Sequence, residues 1–386
     1  MSATTATTSL GSNVDSGNRA AWLRGIPFAP KRNSLNLIRL VLAFLVLVSH
    51  TFPIAGWGSG PMYANENLGG WAVIGFFVLS GYLIMGSRVR TDAATFLIHR
   101  VARIFPAFLV CLVVTALVFA PIAFWNQNGS LAAFFTTANT PANYVFANSF
   151  LRISDYSIAG TPAEVPYPGA WNGSLWSLYY EFLCYIVVGI LAFIPVVRRS
   201  AWGIAIAFAL SVLAQIKIGA VLPLFGGNGE IALLAKLLPY FLGGALLYML
   251  KDRIRYSAPF AILAAAVSFA VISAAPSWGG QLTAPLVAYS LLWVSLVLPA
   301  PRSILKNDVS YGAYIYAFPV QQLLVIFGAH SLGLVPYVAL CTALTAVLAT
   351  ASWFAIEKPV MQRVRKRPPA TAEGRVTPTQ AGSTPG

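Results

Sequence analysis

Stretches of about twenty mostly apolar residues recur along the chain, near 36–55, 70–87, 104–124, 175–195, 201–218, 232–250, 257–274, 283–300, 309–329 and 334–356. A helix needs roughly 20 such residues to cross the hydrocarbon core of a bilayer. A single folded core has no room for so many of them in 386 residues. In lipid the backbone N–H and C=O groups must be satisfied inside the segment, and for runs of this length only the α-helix does that. The expected fold is therefore all-α, a polytopic transmembrane helical bundle of about ten spans. Composition points the same way: 9% of the residues are charged and 58% hydrophobic, whereas soluble domains carry about 25% charged residues. The three cysteines, Cys111, Cys184 and Cys341, each lie inside an apolar run, far apart. They read as small buried hydrophobes, with neither disulfide nor metal spacing.

The formal net charge of +14 would suggest nucleic acid in a soluble protein. Here the basic residues lie between the apolar runs, so no nucleic acid is expected and membrane topology explains them. Positively charged side chains accumulate in cytoplasmic loops. Counting by alternate loops puts 21 of the 25 Lys and Arg on one side, in the N-terminal segment, around Arg88–Arg103, at Arg198 and Arg199, at Lys251–Arg255, at Arg302 and Lys306, and after Lys358. The other side keeps Arg152 and Lys217, while Arg39 and Lys236 lie in spans. Both termini are thus expected in the cytoplasm, as an even number of spans requires. Residues 1–33 read as a disordered cytoplasmic tail, 34–363 as the membrane domain, and 364–386 as a basic and then disordered tail. The long outer segment from Trp125 to Ser174, with Trp, Tyr, Asn and Pro but few charges, either lines a site or caps the bundle.

Ionisable groups inside a span are costly and by default mark a functional site. Arg39 and His50 stand eleven positions apart in the first span, which is three helical turns plus about 20°, so they share a face and lie about 16 Å apart along the axis. Arg39 alone is also explained by snorkelling toward the cytoplasmic surface. His50 is short and lies past the middle of the span; it is either a hydrogen-bonded structural histidine or a base able to take a proton from a hydroxyl near pH 7. Arg100 and Arg103, three apart at the start of a helix, could clamp a phosphate-bearing ligand or anchor the helix at the cytoplasmic interface, and His99 beside them reads as interfacial. Glu181 sits in the apolar stretch "WNGSLWSLYYEFLCY" and needs a partner from elsewhere. It could orient the imidazole of His50, as a carboxylate does in a hydrolase triad, or pair with Arg39 or Lys236 for packing. Glu357, next to Lys358 and ahead of Pro359, reads as an interfacial ion pair before a helix-stopping proline.

Together these stretches resemble the acyltransferase-3 family of integral-membrane O-acyltransferases. Arg39 and His50 match its arginine, ten residues, histidine signature. "VIGFFVLSGYLI" from Val73 to Ile84 matches its second-helix motif, and Arg100 with Arg103 its paired arginines. "SLWSLYYEF" from Ser174 to Phe182, "SYGAYIYAFP" from Ser310 to Pro319 and "IEKP" from Ile356 to Pro359 match later motifs. One departure stands out: family members commonly carry a histidine where this chain has Ala317. Longer members also carry an extracytoplasmic hydrolase-like domain, for which this chain has no room, so it is expected to act alone or with a separate partner protein.

The resemblance implies an enzyme of a bacterial cytoplasmic membrane that takes an acyl group, expected to be acetyl, from cytoplasmic acyl-CoA. The implied acceptor is a sugar hydroxyl in a surface or exported glycan, or on a lipid-linked sugar, and no metal is implied. His50 would be the base, Glu181 its orienting partner if the fold brings them together, and Arg39 a positive group facing the thioester or the CoA phosphates. Arg100 and Arg103 would bind those phosphates. A macrolide-like metabolite or a lipid is an alternative acceptor. A transporter of lipid-linked sugars is the alternative of another class, since its pathway would also be lined by intramembrane charges.

Overall fold

The computed structural model describes Leu23, residues 25–30 and residues 32–365. Each of the ten expected segments contains a helix: α1 Leu35–Ile54, α2 Leu68–Arg90, α3 Ala93–Asn128, α4 Trp176–Leu191, α5 Ala201–Ile216, α6 Gly229–Met249, α7 Ala258–Ala274, α8 Ala284–Val297, α9 Ser310–Ile326 and α10 Leu334–Arg365. Five of them, α1, α2, α3, α6 and α10, are long and apolar enough to cross a bilayer alone; α5 and the short helices after it, bent by 84°, make a sixth candidate. Side chains such as Trp202, Ile262, Val335 and Val347 project outward uncovered, as expected of helices whose solvent is lipid rather than water.

Helix ends follow local chemistry. Asn67 caps α2 by accepting from the Gly70 N–H at 2.7 Å, and Asp92 caps α3 by accepting from the Thr95 N–H at 2.9 Å. Arg88 and Arg90 fill the last turn of α2, where cations complement the helix dipole. α3 begins at Ala93, about ten residues before the apolar run, because its first turns carry the long His99, Arg100 and Arg103 side chains beyond the purely apolar zone. Pro359 does not end α10: a π-turn over Trp353–Glu357 resets the register, and the helix continues to Arg365. Pro359 then falls in the first turn of the following α-segment, where a missing N–H costs nothing.

α2 is the hub, packed against α1, α4, α6 and α8, while α9 packs between α1 and α10 and touches α3. The α2–α6 contact is backbone to backbone. A Cβ on Gly81 would sit 1.9 Å from the Phe241 carbonyl oxygen, and one on Gly244 would sit 1.9 Å from that of Val78. Small residues at such a crossing allow membrane helices to gain dispersion contact where no hydrophobic drive exists between them.

The long segment between α3 and α4 folds back onto one end of the bundle. Trp171 is fully buried and donates to Thr161 Oγ1 at 3.0 Å, while Gln322 of α9 holds the carbonyls of Tyr167 and Ala170 at 2.7 and 2.8 Å. At the opposite end, residues 25–30, expected as part of a tail, lie against the bundle: Ile26 pairs with Tyr256 in a β-bridge, and Phe28 packs on Tyr82. Residues 1–22, Arg24, Lys31 and residues 366–386 of the expected tails lie outside the described residues.

Candidate active site

The bundle carries two polar groupings, one at each end of the stripe formed by Arg39 and His50 on α1.

At the Arg39 end, four helices meet in a network of charges. Arg39 donates to Oδ2 of Asp308, in the turn before α9, and Arg103 of α3 donates to the same oxygen at 2.6 Å. The second arm of Arg103 reaches Glu357 of α10 at 2.8 Å. The guanidinium of Arg103 also lies over the rings of Tyr311 and Trp353, at 5.5 and 5.7 Å. Asp308 accepts in addition from Ser310 Oγ at 2.5 Å, and Glu357 from Ser352 Oγ at 3.1 Å. The carboxylates therefore share two guanidiniums, and hydrogen bonds from hydroxyls satisfy other lone pairs, as buried ion pairs require. Burial alone would raise the Asp308 carboxyl, but Arg39 and Arg103 outweigh it and hold it below the usual carboxylate range. Glu357 pairs with Arg103 across the bundle rather than with the adjacent Lys358, whose ammonium turns to Asn307 Oδ1 at 3.3 Å.

Arg100 is different. Among the described residues its Nε is buried without a hydrogen-bond partner, and its guanidinium lies about 6.0 Å from the rings of Phe96 and Tyr185. An unpaired buried donor is costly, so this one is placed to meet something that enters. It borders a cavity of about 420 Å³ whose lining includes Arg39, Arg90, Arg103 and Arg365, with Asp308 as the one acid among the described residues. That volume and charge suit a multiply charged phosphate ligand.

Beyond Arg39 a narrow pocket of about 30 Å³ continues into the bundle between Phe76, Tyr314, Ser177 and Glu181. Glu181 accepts from Ser80 Oγ at 2.6 Å and from the Tyr185 hydroxyl at 2.7 Å. Tyr314 donates to the Ser174 carbonyl at 2.7 Å and is bonded to Ser177 Oγ at 2.6 Å. Because the Tyr314 proton is committed to a carbonyl, Ser177 must be the donor in the second bond.

His50 stands farther along the stripe. One ring nitrogen, Nδ1, lies 2.8 Å from the Val46 carbonyl oxygen, which can only accept, so the proton sits on Nδ1 and Nε2 keeps its lone pair. The ring is edge-on to Phe318 at 5.2 Å. On the next turn of α9, Gln321 bonds Leu47 O and Thr51 Oγ1, both at 2.8 Å, fixing α1 against α9. Ala317 is buried beside Leu47, Ala170, Phe318 and Tyr337, as a small packing residue.

The structure thus brings Arg39 and Arg103 together through Asp308 and sets Arg100 on the same cavity. It does not hydrogen-bond Glu181 to His50, since Val46 orients the imidazole and Glu181 is held by Ser80 and Tyr185. Lys236 is committed to Glu66, so neither does it pair with Glu181. Sequence reasoning missed Asp308. The available signal was one of only eleven acidic residues standing at the head of an apolar run, on the side where the arginines collect.

Known proteins carry the same pattern. The profile of the acyltransferase-3 family, described as an acyltransferase domain, matches residues 32–354, and the chain belongs to that family: it is a membrane acyltransferase. An O-acetyl transferase of Shigella phage Sf6 is 31% identical over 343 residues, covering 86% of this chain and 97% of the relative. Nodulation protein 10 of Rhizobium leguminosarum bv. viciae is 28% identical over 357 residues, covering 86% of this chain and 94% of that protein. No solved structure matches. Family membership favours group transfer over the transporter alternative.

Proposed function

We propose that the protein is an O-acetyltransferase of a bacterial cytoplasmic membrane, crossing it ten times with both termini in the cytoplasm. It moves an acetyl group from cytoplasmic acetyl-CoA to a sugar hydroxyl of a surface or exported glycan. The orientation rests on the one-sided distribution of Lys and Arg, and the acetyl group on the activity named for the phage relative.

One observation carries the chemistry: the Nδ1 proton of His50 is spent on the Val46 carbonyl at 2.8 Å, leaving Nε2 as a free base. The acceptor hydroxyl gives its proton to Nε2 as its oxygen attacks the thioester carbon. The C–S bond then breaks, the imidazolium returns the proton to the departing sulfur, and an ester and a free thiol leave. Arg39 lies on the same helix face but some 16 Å away, so its charge guides the donor into the bundle rather than meeting the thioester oxygen at His50.

The donor enters from the arginine end. Its diphosphate meets Arg100, whose Nε has no partner among the described residues, in the cavity that Arg103 also lines. The narrow pocket past Arg39 holds about one water as it stands; it widens to admit the pantetheine arm, whose amide N–H groups the Glu181 carboxylate on its wall can accept from. Some 16 Å separates Arg39 from His50 along α1, a span the extended arm bridges while the nucleotide stays behind.

The test is mass spectrometry of surface glycans from cells with and without the protein. A gain of one acetyl group per modified sugar supports the reading; identical glycan spectra, with the protein present in the membrane, refute it.

A further inference from the structure

A second cavity, of about 580 Å³, opens beside the arginine cavity and shares Asn36, Arg39, Leu83 and Arg90 with it. Its lining differs in kind. Phe28, Tyr82 and Tyr248 border it as a row of rings in edge-to-face contact, with centroids 5.2 Å apart for Phe28–Tyr82 and 5.3 Å for Tyr82–Tyr248. Lys251 and Arg255 border the same space. Lys251 lies 5.1 Å from the Tyr248 ring, and its ion pair with Asp252 is to a carboxylate 84% exposed to solvent, so an incoming phosphate can compete for it.

One wall is built by the strap 25–30. The Ile26 N–H donates to Tyr256 O at 3.0 Å and the Tyr256 N–H returns to Ile26 O at 2.8 Å, drawing the strap across the bundle end. The Asn33 side chain ties off the Ala29 carbonyl at 2.9 Å. Basic residues needed only for topology can project anywhere into water. These line a cavity together with aromatic faces, the combination that takes a heterocyclic base with its phosphate.

We infer that this chamber holds the nucleotide end of the donor: the purine lies among Phe28, Tyr82 and Tyr248, the 3′-phosphate meets Lys251 and Arg255, and the diphosphate lies at the shared wall beside Arg90. The inference rests on the proposed acyl-CoA donor. It makes the strap a donor-binding element and Lys251 and Arg255 specificity-determining residues for the 3′-phosphate, separate from Arg100 and Arg103.

The experiment compares CoA with 3′-dephospho-CoA by calorimetry on the full chain in phosphatidylcholine nanodiscs, for the wild type and for Lys251→Ala/Arg255→Ala. The expected result is that the wild type binds CoA about ten-fold more tightly than 3′-dephospho-CoA, the size of one charge-assisted contact, and that the double variant binds both equally. A double variant that keeps the full preference overturns the inference while leaving the donor reading intact. A wild type that binds neither compound overturns both. Loss of the wild-type preference when phosphatidylglycerol is added, with CoA still bound, assigns the chamber to anionic lipid headgroups and overturns the inference.

Discussion

Asp308→Asn separates the two roles of the charge network. In the wild type Oδ2 takes hydrogen bonds from Arg39 and Arg103 while Oδ1 takes Ser310 Oγ. An asparagine can turn its amide oxygen to the two guanidiniums and its NH2 to Ser310 Oγ, but it carries no charge, so both guanidiniums exchange an ionic partner for a neutral one. Hydrogen bonds to charged groups are worth about 1.5–3 kcal/mol. Arg103 keeps Glu357, and Arg39 is 20% exposed, so cavity water softens the loss. The expected destabilisation is about 3 kcal/mol, at the lower edge of what breaking a buried pair costs, or a melting temperature lowered by about 5 °C. Donor binding should change in the opposite direction. The cavity gains one positive charge, and at an effective dielectric constant near 20 and about 10 Å that attracts a unit negative charge by about 1.7 kcal/mol. CoA should therefore bind about ten-fold more tightly. Thermal unfolding in nanodiscs and calorimetric CoA titration read the two effects on one preparation. An unchanged melting temperature, or weaker CoA binding, would refute the view that Asp308 stabilises the bundle and competes with the donor for the arginines.

Three other outcomes follow from the same geometry. Arg100→Ala removes a guanidinium with an unpartnered Nε, so CoA affinity should fall about ten-fold with no loss of thermal stability; unchanged affinity in the same titration returns Arg100 to a topological anchor. The Asp308 carboxyl, held low by Arg39 and Arg103 against the effect of burial, contributes stability that is complete above the unfolded value near 3.9 and lost as pH falls through its lower folded value. Melting temperatures scanned downward from pH 5 should drop more steeply for the wild type than for Asp308→Asn. Gly81→Ala drives a methyl group into the Phe241 carbonyl and should cost about 3 kcal/mol by overpacking, seen as a collapse in monodisperse yield after solubilisation. Gly219→Ala, where a Cβ meets nothing within 4 Å, should leave that yield unchanged.

The helices were legible because hydropathy alone decides where a chain can remain in lipid, and each apolar run contains one. Their ends were less so: α3 starts early and α10 runs past Pro359, because long basic side chains and a π-turn carry helices beyond the apolar window. The shared face of Arg39 and His50 followed from helical period, a local property. What tied those residues down did not. The partners of Arg39 and Arg103, and Ser80 for Glu181, come from segments distant in sequence, and periodicity within one segment says nothing about which neighbour it meets. His50 found its partner one turn back on its own helix, at Val46, a backbone acceptor that no side-chain pattern could signal. Phe28 lay in a stretch read as tail because six or seven residues held by a single β-bridge leave no periodic trace.

The account stands most directly on Nε2 of His50. With purified protein in nanodiscs, labelled acetyl-CoA and the glycan acceptor, the rate of acetyl transfer should fall at least about 100-fold in His50→Gln, the smaller end of what general-base catalysis contributes, while CoA affinity, set at the other end of the stripe, stays at the wild-type value. Transfer by His50→Gln at the wild-type rate, with the protein folded and CoA bound, would contradict it.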